Sequence, residues 1–297
     1  METVNFLSSH GDLKIDAKFK DLTTIRIGGS IKYLVSPFDV NRLKLIITYL
    51  KEEAIPFKML GRGSNLVCGD EPYEGCVIKL EHLNHYHFNE DGLLYVEAGM
   101  MVPRLANVLA SQGYSNLEFA SGIPGTIGGL VFMNAGAYKM SMSDVVEEVL
   151  VLKDGELVWM KKDELNFSYR HSIFRDNLDW VIVAAKIRIV KKASEEIKHL
   201  MQERLIRRRA TQPLDKPSAG SCFKNPDGDF AWRLIDGVGL RGYKYHGIEV
   251  SPKHPNFITN TNGATASDFI MTTNYIKACV KKEYNIDLVM EVELFHC

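Results

Sequence analysis

An α+β architecture follows from three features of the chain. Strand-like and helix-like segments mix without a regular βαβα rhythm, which argues against a doubly wound parallel sheet. Asp154-Gly155 joins two strand-like runs, 145–153 and 156–160, as the two-residue turn of an antiparallel hairpin. The 297 residues, 45% of them hydrophobic, suffice for about two buried cores.

The elements can be justified in order. Asp39 caps a helix over 40–51, where Leu43, Ile46, Ile47 and Leu50 recur at helical spacing. Residues 57–60 form a short strand, and 76–80 and 93–97 form two more. Pro103 suits the first turn of a helix that runs to Gln112 and stops at Gly113. Residues 181–190 are an apolar strand. Ser194, Glu195 and Glu196 then open a polar helix that reaches Arg209, and Pro213 and Pro217 end it. This change of texture puts a domain boundary near residue 190. Two further helices are expected near 230–236 and 267–284. In the last strand, 288–295, Leu288, Met290, Val292 and Leu294 share one face; Val289, Glu291, Glu293 and Phe295 share the other. The sequence has no internal repeat and no low-complexity tract.

Composition removes several classes of function. A net charge of -1 and a pI near 6.8 provide no global positive field, so a dedicated nucleic-acid binder is not expected. The five cysteines, Cys68, Cys76, Cys222, Cys279 and Cys297, include no C-x-x-C, which fits a reducing cytoplasm better than a disulfide framework or a structural zinc site. The polar N-terminal segment lacks the apolar core of a signal peptide, and no apolar run is long enough to span a bilayer. His82, His85 and His87 read as one face of a loop, so no metal is expected.

The densest chemical signal is the glycine-rich stretch 118–138, with Gly122, Gly125, Gly128, Gly129 and Gly136 among small or apolar neighbours. Such a segment can bring backbone amides close to an anion. A second loop, Gly61-Arg62-Gly63-Ser64-Asn65, follows the strand 57–60. Together they suit a large cofactor with two phosphates. Neither matches the dinucleotide fingerprint or the P-loop, so spacing alone leaves ordinary turns as an equal reading. Arg170, between two aromatics, is either a surface cation–π partner or a planar clamp for a carboxylate. Residues 218–226 put Ser221, Cys222, Lys224 and Asn225 within a few positions. Ser221 can donate a proton if a neighbour tunes it, whereas alternation turns Cys222 the other way, into a buried structural role. Glu291 and Glu293 read as a solvated strand face unless one of them reaches a pocket. Arg204, Arg207, Arg208 and Arg209 read as a solvent-facing helix end.

Six of these segments occur in a fixed order: Thr23-Thr24-Ile25-Arg26-Ile27-Gly28-Gly29, the GRGSN loop, SGIPGTIGG with MNAGAY, Tyr169-Arg170-x-Ser172, AGS-x-FKNP, and a terminal Glu-Val pair. The set covers nearly the whole chain and resembles the UDP-N-acetylenolpyruvoylglucosamine reductase family, flavoenzymes of peptidoglycan synthesis. The lack of a tyrosine-bearing loop after the FAD region is similar to that family's shorter, type II branch. The resemblance implies a vanillyl-alcohol-oxidase-like (PCMH-type) FAD domain over 1–190, in subdomains of about 1–80 and 81–190, and an α+β substrate domain over 191–297. It implies non-covalent FAD held by Gly61, Arg62, Gly63, Ser64, Asn65 and Leu66, by Ser121, Gly122, Ile123, Pro124, Gly125, Thr126, Gly128 and Gly129, and by Asn134, Ala135 and Gly136. It implies NADPH as hydride donor and UDP-N-acetylglucosamine enolpyruvate as substrate, met by Lys224, Asn225, His254 and Asn256. Arg170, Ser221 and Glu291 match the catalytic residues, with Ser221 as proton donor. The chain departs from the family at Met290-Glu291-Val292-Glu293, where Pro-Glu-Val-Arg is usual. A cytoplasmic monomer is expected. An FAD-dependent oxidase on the same scaffold and a non-catalytic nucleotide-binding module are the rival readings.

Overall fold

The computed structural model describes residues 1–89 and 92–297, and its strands and helices mix in α+β fashion. By packing, the chain divides into two compact units. The first holds Met1–Ile15, Tyr33–Arg62 and Gly75–Leu205; the second holds Asp16–Lys32, Gly63–Glu74 and Ile206–Cys297. A single cut near residue 190 does not describe this partition, because two short N-terminal segments pack with the C-terminal one.

The first unit is built on a five-stranded antiparallel sheet. Its order is Glu156–Lys161, Val146–Lys153, Val181–Ile187, Leu94–Glu97 and Tyr86–Phe88. Asp154 (φ 50°) and Gly155 (φ 79°) are both left-handed, as the two-residue hairpin turn requires. The helix Val102–Ser111, with Pro103 in its first turn, and the helix Ile127–Phe132 pack on a core that includes Val96, Leu105, Val149 and Phe174. A second core gathers around the helix Val40–Glu52. Asp39 caps it by accepting from Arg42 N at 2.8 Å, and Leu43, Ile46, Ile47 and Leu50 form its buried stripe. Each such side chain contributes about 1.5–3 kcal/mol through burial. The polar N-terminal segment, silent as to structure in the sequence, forms the helix Glu2–His10, with Leu7 as its buried residue.

The second unit carries an antiparallel sheet in the order Ser218–Ser221, Phe257–Asn260, Ile248–Val250 and Lys244–Tyr245. The helices Ala231–Gly237 and Ala266–Tyr284 share a core with it through Leu234, Phe269, Ile276 and Val250. A full capping box starts the longer helix: Thr265 Oγ1 accepts from Asp268 N at 3.1 Å, and Asp268 Oδ2 accepts from Thr265 N at 2.9 Å.

The last strand differs from its expected form. Only Glu293–Phe295 is regular, and it runs parallel to Leu66–Cys68; Met290 instead makes an isolated antiparallel bridge with Phe223. Clean alternation needs one continuous ladder, and here the partner changes between 290 and 293. Leu294 is therefore 44% exposed, while Leu288 and Val292 are buried.

Candidate active site

In the first unit the glycine-rich stretch wraps the start of the helix Ile127–Phe132. Thr126 caps it, its Oγ1 accepting from Gly129 N at 3.3 Å. A Cβ built on Gly61 would approach only Thr126, with Oγ1 at 2.9 Å, and one on Gly129 would meet only that same hydroxyl, at 3.5 Å. The two glycine positions thus adjoin one threonine hydroxyl and are otherwise open, a cradle that side chains would fill. That space, beside a hydroxyl and the glycine main chain, is open enough for the diphosphate of a dinucleotide. Around it, Ser121 Oγ donates to Glu118 O at 2.9 Å, Ile123 N to Ala120 O at 2.9 Å and Ala135 N to Leu130 O at 2.8 Å. Gly122 is half-buried, Gly125 is buried and Pro124 is exposed.

Arg170 belongs to the same unit, at the tip of a tight turn. Ser168 and His171 exchange two backbone hydrogen bonds of 3.1 Å, and Arg170 between them is left-handed, with φ 55°. A non-glycine residue held this way stores about 1–3 kcal/mol of strain and needs neighbours to hold it. Ser172 donates from Oγ to Phe132 O at 2.6 Å, and Asn134 donates from Nδ2 to Ser168 O at 2.8 Å while accepting from Ser143 N at 2.9 Å. Asn134, 4% exposed, therefore supports this turn. Arg170 Nη2 donates to Gly136 O at 3.0 Å, which ties the arginine to the end of the glycine-rich stretch.

The second unit brings the rest of the GRGSN loop to Ser221 and Glu291. Gly63 is left-handed (φ 65°) and packs against the backbone of Leu22 and Thr23, where no side chain would fit. Thr24 N donates to Gly63 O at 3.0 Å, and Thr24 Oγ1 donates to Ser218 O at 2.6 Å, so one threonine links the loop to the strand that ends in Ser221. A Cβ on Gly220 would have Ser64 O as its neighbour, at 3.7 Å. Glu291 N donates to Cys222 O at 2.8 Å, the residue after Ser221. Asn65 Nδ2 donates to Glu291 O at 3.0 Å, and Asn65 O accepts from Glu293 N at 3.0 Å. Leu66 is buried and registers with Glu293. Ser221 and Glu291 are half-exposed.

Asn256 closes this network. It is 4% exposed; Oδ1 accepts from Phe223 N at 2.9 Å, Nδ2 donates to Phe223 O at 2.8 Å, and its own carbonyl accepts from Cys222 N at 2.8 Å. Lys224 N donates to Val289 O at 2.8 Å, and Asn225 Oδ1 accepts from Ala231 N at 3.1 Å at the start of a helix. His254 joins the sheet by another route: its carbonyl accepts from Phe257 N at 2.9 Å, and its ring packs edge-on to Phe257. His254 Nδ1 is buried with no hydrogen-bond partner among the described residues. Burial, with a smaller contribution from Arg241, lowers the pKa of the ring. Burial pushes the Cys222 thiol up to about 12, so it stays protonated and is no nucleophile beside Ser221.

Two sequence expectations need revision. The arginine cluster is not uniformly solvent-facing: Arg207 and Arg209 are exposed, but Arg204 is half-buried, its guanidinium 4.6 Å from the Tyr138 ring centre. The three clustered histidines act separately. His82 meets Asp12 at 2.8 Å, His85 meets Glu97 at 3.1 Å, and His87 stacks on Tyr95. Thr24 is a structural support that motif reading passed over, while Asn134 and Asn256, expected to meet FAD and substrate, hold the Arg170 turn and the Phe223 main chain. Thr24 and Asn134 lay within motifs, but nothing in their spacing distinguishes a ligand-binding side chain from one that holds a neighbouring turn.

Comparison with known proteins agrees with this geometry. Residues 31–161 match the family described as FAD binding domain, and residues 212–295 match UDP-N-acetylenolpyruvoylglucosamine reductase, C-terminal domain. The chain is 42% identical over 286 residues to the UDP-N-acetylenolpyruvoylglucosamine reductase of Thermotoga sp. (strain RQ2), covering 96% of this chain and 94% of that one. It is 39% identical to the protein of that name from Anoxybacillus flavithermus (strain DSM 21510 / WK1), with the same coverage. The crystal structure of UDP-N-acetylenolpyruvylglucosamine reductase from Thermus caldophilus matches with a TM-score of 0.80 and 32% identity, over 96% of this chain and 98% of the other.

Proposed function

Because the chain belongs to the UDP-N-acetylenolpyruvoylglucosamine reductase family, it is an FAD-dependent oxidoreductase of peptidoglycan synthesis, and we propose that Arg170, Ser221 and Glu291 are its catalytic residues. NADPH is the hydride donor, and UDP-N-acetylglucosamine enolpyruvate is reduced to UDP-N-acetylmuramate. When bound, FAD supplies the two-electron relay between them. The cradle at Gly61, Thr126 and Gly129 supports a diphosphate held by backbone amides there.

The chain's own part lies in managing charge and one proton. Hydride arrives at C3 of the enolpyruvyl group, and negative charge develops toward its carboxylate. Arg170, tethered by its bond to Gly136 O, suits that carboxylate with its planar guanidinium. Glu291, sharing a proton with the substrate, helps to stabilise the developing enolate. Ser221 Oγ then delivers a proton to C2, completing the lactyl ether. Lys224, three residues on in the chain, is the group assigned to relay charge to Ser221. Lys224, Asn225 and His254 serve the nucleotide and enolpyruvyl ends of the substrate, while Asn256 serves the Ser221 strand.

The observation that carries this assignment is the hydrogen bond from Glu291 N to Cys222 O, which holds the glutamate beside the Ser221 segment. The FAD loops fall within residues 1–190 and the substrate contacts Lys224, Asn225 and His254 within residues 191–297, and the enzyme works as a cytoplasmic monomer. No helix among the described residues is long and apolar enough to cross a membrane. An anaerobic visible spectrum tests the function. The flavin bands are expected to bleach with NADPH and return with UDP-N-acetylglucosamine enolpyruvate. Return only on admission of air would support an oxidase instead, and bound flavin that never bleaches would support a non-catalytic module.

A further inference from the structure

We infer that Asn65 is a positioning residue for Glu291, setting the carboxyl through the main chain of its strand. The inference rests on the catalytic assignment of Glu291 above. Glu291 is held at both of its peptide groups. Its N–H donates to Cys222 O at 2.8 Å, on the segment that carries Ser221. Its carbonyl accepts from Asn65 Nδ2 at 3.0 Å. Two residues further on, Glu293 N returns to Asn65 O at 3.0 Å, so the asparagine grips the strand on both sides of Val292.

This arrangement falls where the chain most needs it. Residues 288–292 lie outside any regular ladder, between the isolated bridge at Met290 and the parallel pairing that starts at Glu293. A carboxyl mounted on such a segment depends on individual bonds for its position. An amide is the group that fits, because a carbonyl accepts only from a donor. Aspartate at 65 would set carboxylate against carbonyl. Asn65 also closes the GRGSN loop, so the loop assigned to the cofactor and the glutamate assigned to the substrate share one side chain.

The test is a thermodynamic cycle on FAD-saturated enzyme: wild type, Asn65→Ala, Glu291→Gln and the double variant, each followed through both half-reactions by stopped flow. Displacement of a reacting group by about 1 Å can cost about 10²-fold. Asn65→Ala is expected to slow flavin reoxidation by the enolpyruvyl substrate by about that factor beyond whatever it does to reduction by NADPH, at an unchanged substrate KM. Asn65→Asp is expected to do more harm than Asn65→Ala. In the Glu291→Gln background, Asn65→Ala should add less than about twofold, because both changes remove the same contribution. Hydrogen exchange over residues 290–295 should rise in Asn65→Ala even without substrate. Equal slowing of both half-reactions, full multiplication with Glu291→Gln, or unchanged exchange over 290–295 would each overturn the inference. If Glu291→Gln alone reoxidises at the wild-type rate, the catalytic assignment of Glu291 fails and takes this inference with it. Should Asn65→Ala not retain flavin, Asn65→Ser takes its place in the same cycle.

Discussion

A serine hydroxyl is a weak acid, and the proton-donor role proposed for Ser221 depends on fixed surroundings. Asn256 clamps Phe223 at both polar atoms, Thr24 holds Ser218, and Glu291 is bonded to Cys222. Ser221→Ala is expected to leave reduction by NADPH within about twofold and to slow reoxidation by substrate by about 10²–10⁴-fold, the usual contribution of a general acid. Stopped-flow flavin absorbance separates the two, and equal slowing would remove Ser221 from the proton-donor role. Ser221, Glu291 and Arg170 stood out as candidates because they sit in short motifs, but the contacts that hold them were not readable. The bond from Asn65 to Glu291 spans 226 residues, and that from Thr24 to Ser218 spans 194; an amide or hydroxyl meeting a distant carbonyl leaves no periodic trace. The left-handed backbone of Arg170 was equally hidden, since nothing in Tyr-Arg-His-Ser demands a positive φ.

Among the elements, those with local stop and start chemistry were the readable ones. Asp39 and Asp154-Gly155 announced a helix start and a hairpin, and both stand where the sequence put them. The helix Ser194–Thr211 was found from its acidic first turn, although it buries only Ile197 and Met201. The terminal strand was overextended because alternation cannot reveal a change of partner. The helix Ala266–Tyr284 offers a test of local chemistry. Thr265→Ala removes one side of its capping box and should cost about 0.5–2 kcal/mol. Urea denaturation should show a lower midpoint at an unchanged slope. A wild-type midpoint would mean that packing through Phe269 and Ile276 alone fixes where this helix begins.

For the molecule as a whole, the sequence carried the composition but neither the tracing of the chain nor the number of cores: about two were expected, and the described residues form three. Its global stability also has an acid limb to which His254 contributes. Burial lowers the pKa of this ring below its ordinary 6.5. As pH falls through 6.5 toward the folded value, the unfolded chain gains a proton that the folded chain resists, so stability declines over that window and is fully retained above it. His254→Gln should therefore flatten the fall of Tm between pH 6.5 and 5.5; parallel curves would mean that other groups dominate the limb. The parallel pairing of Leu66–Cys68 with Glu293–Phe295 imposes an order of events on biosynthesis. A ribosome has made the GRGSN loop long before it makes Glu291. The nascent chain can close the hairpin at Asp154-Gly155 early in translation, whereas the Ser221 and Glu291 segments can meet only after residue 291 has been made.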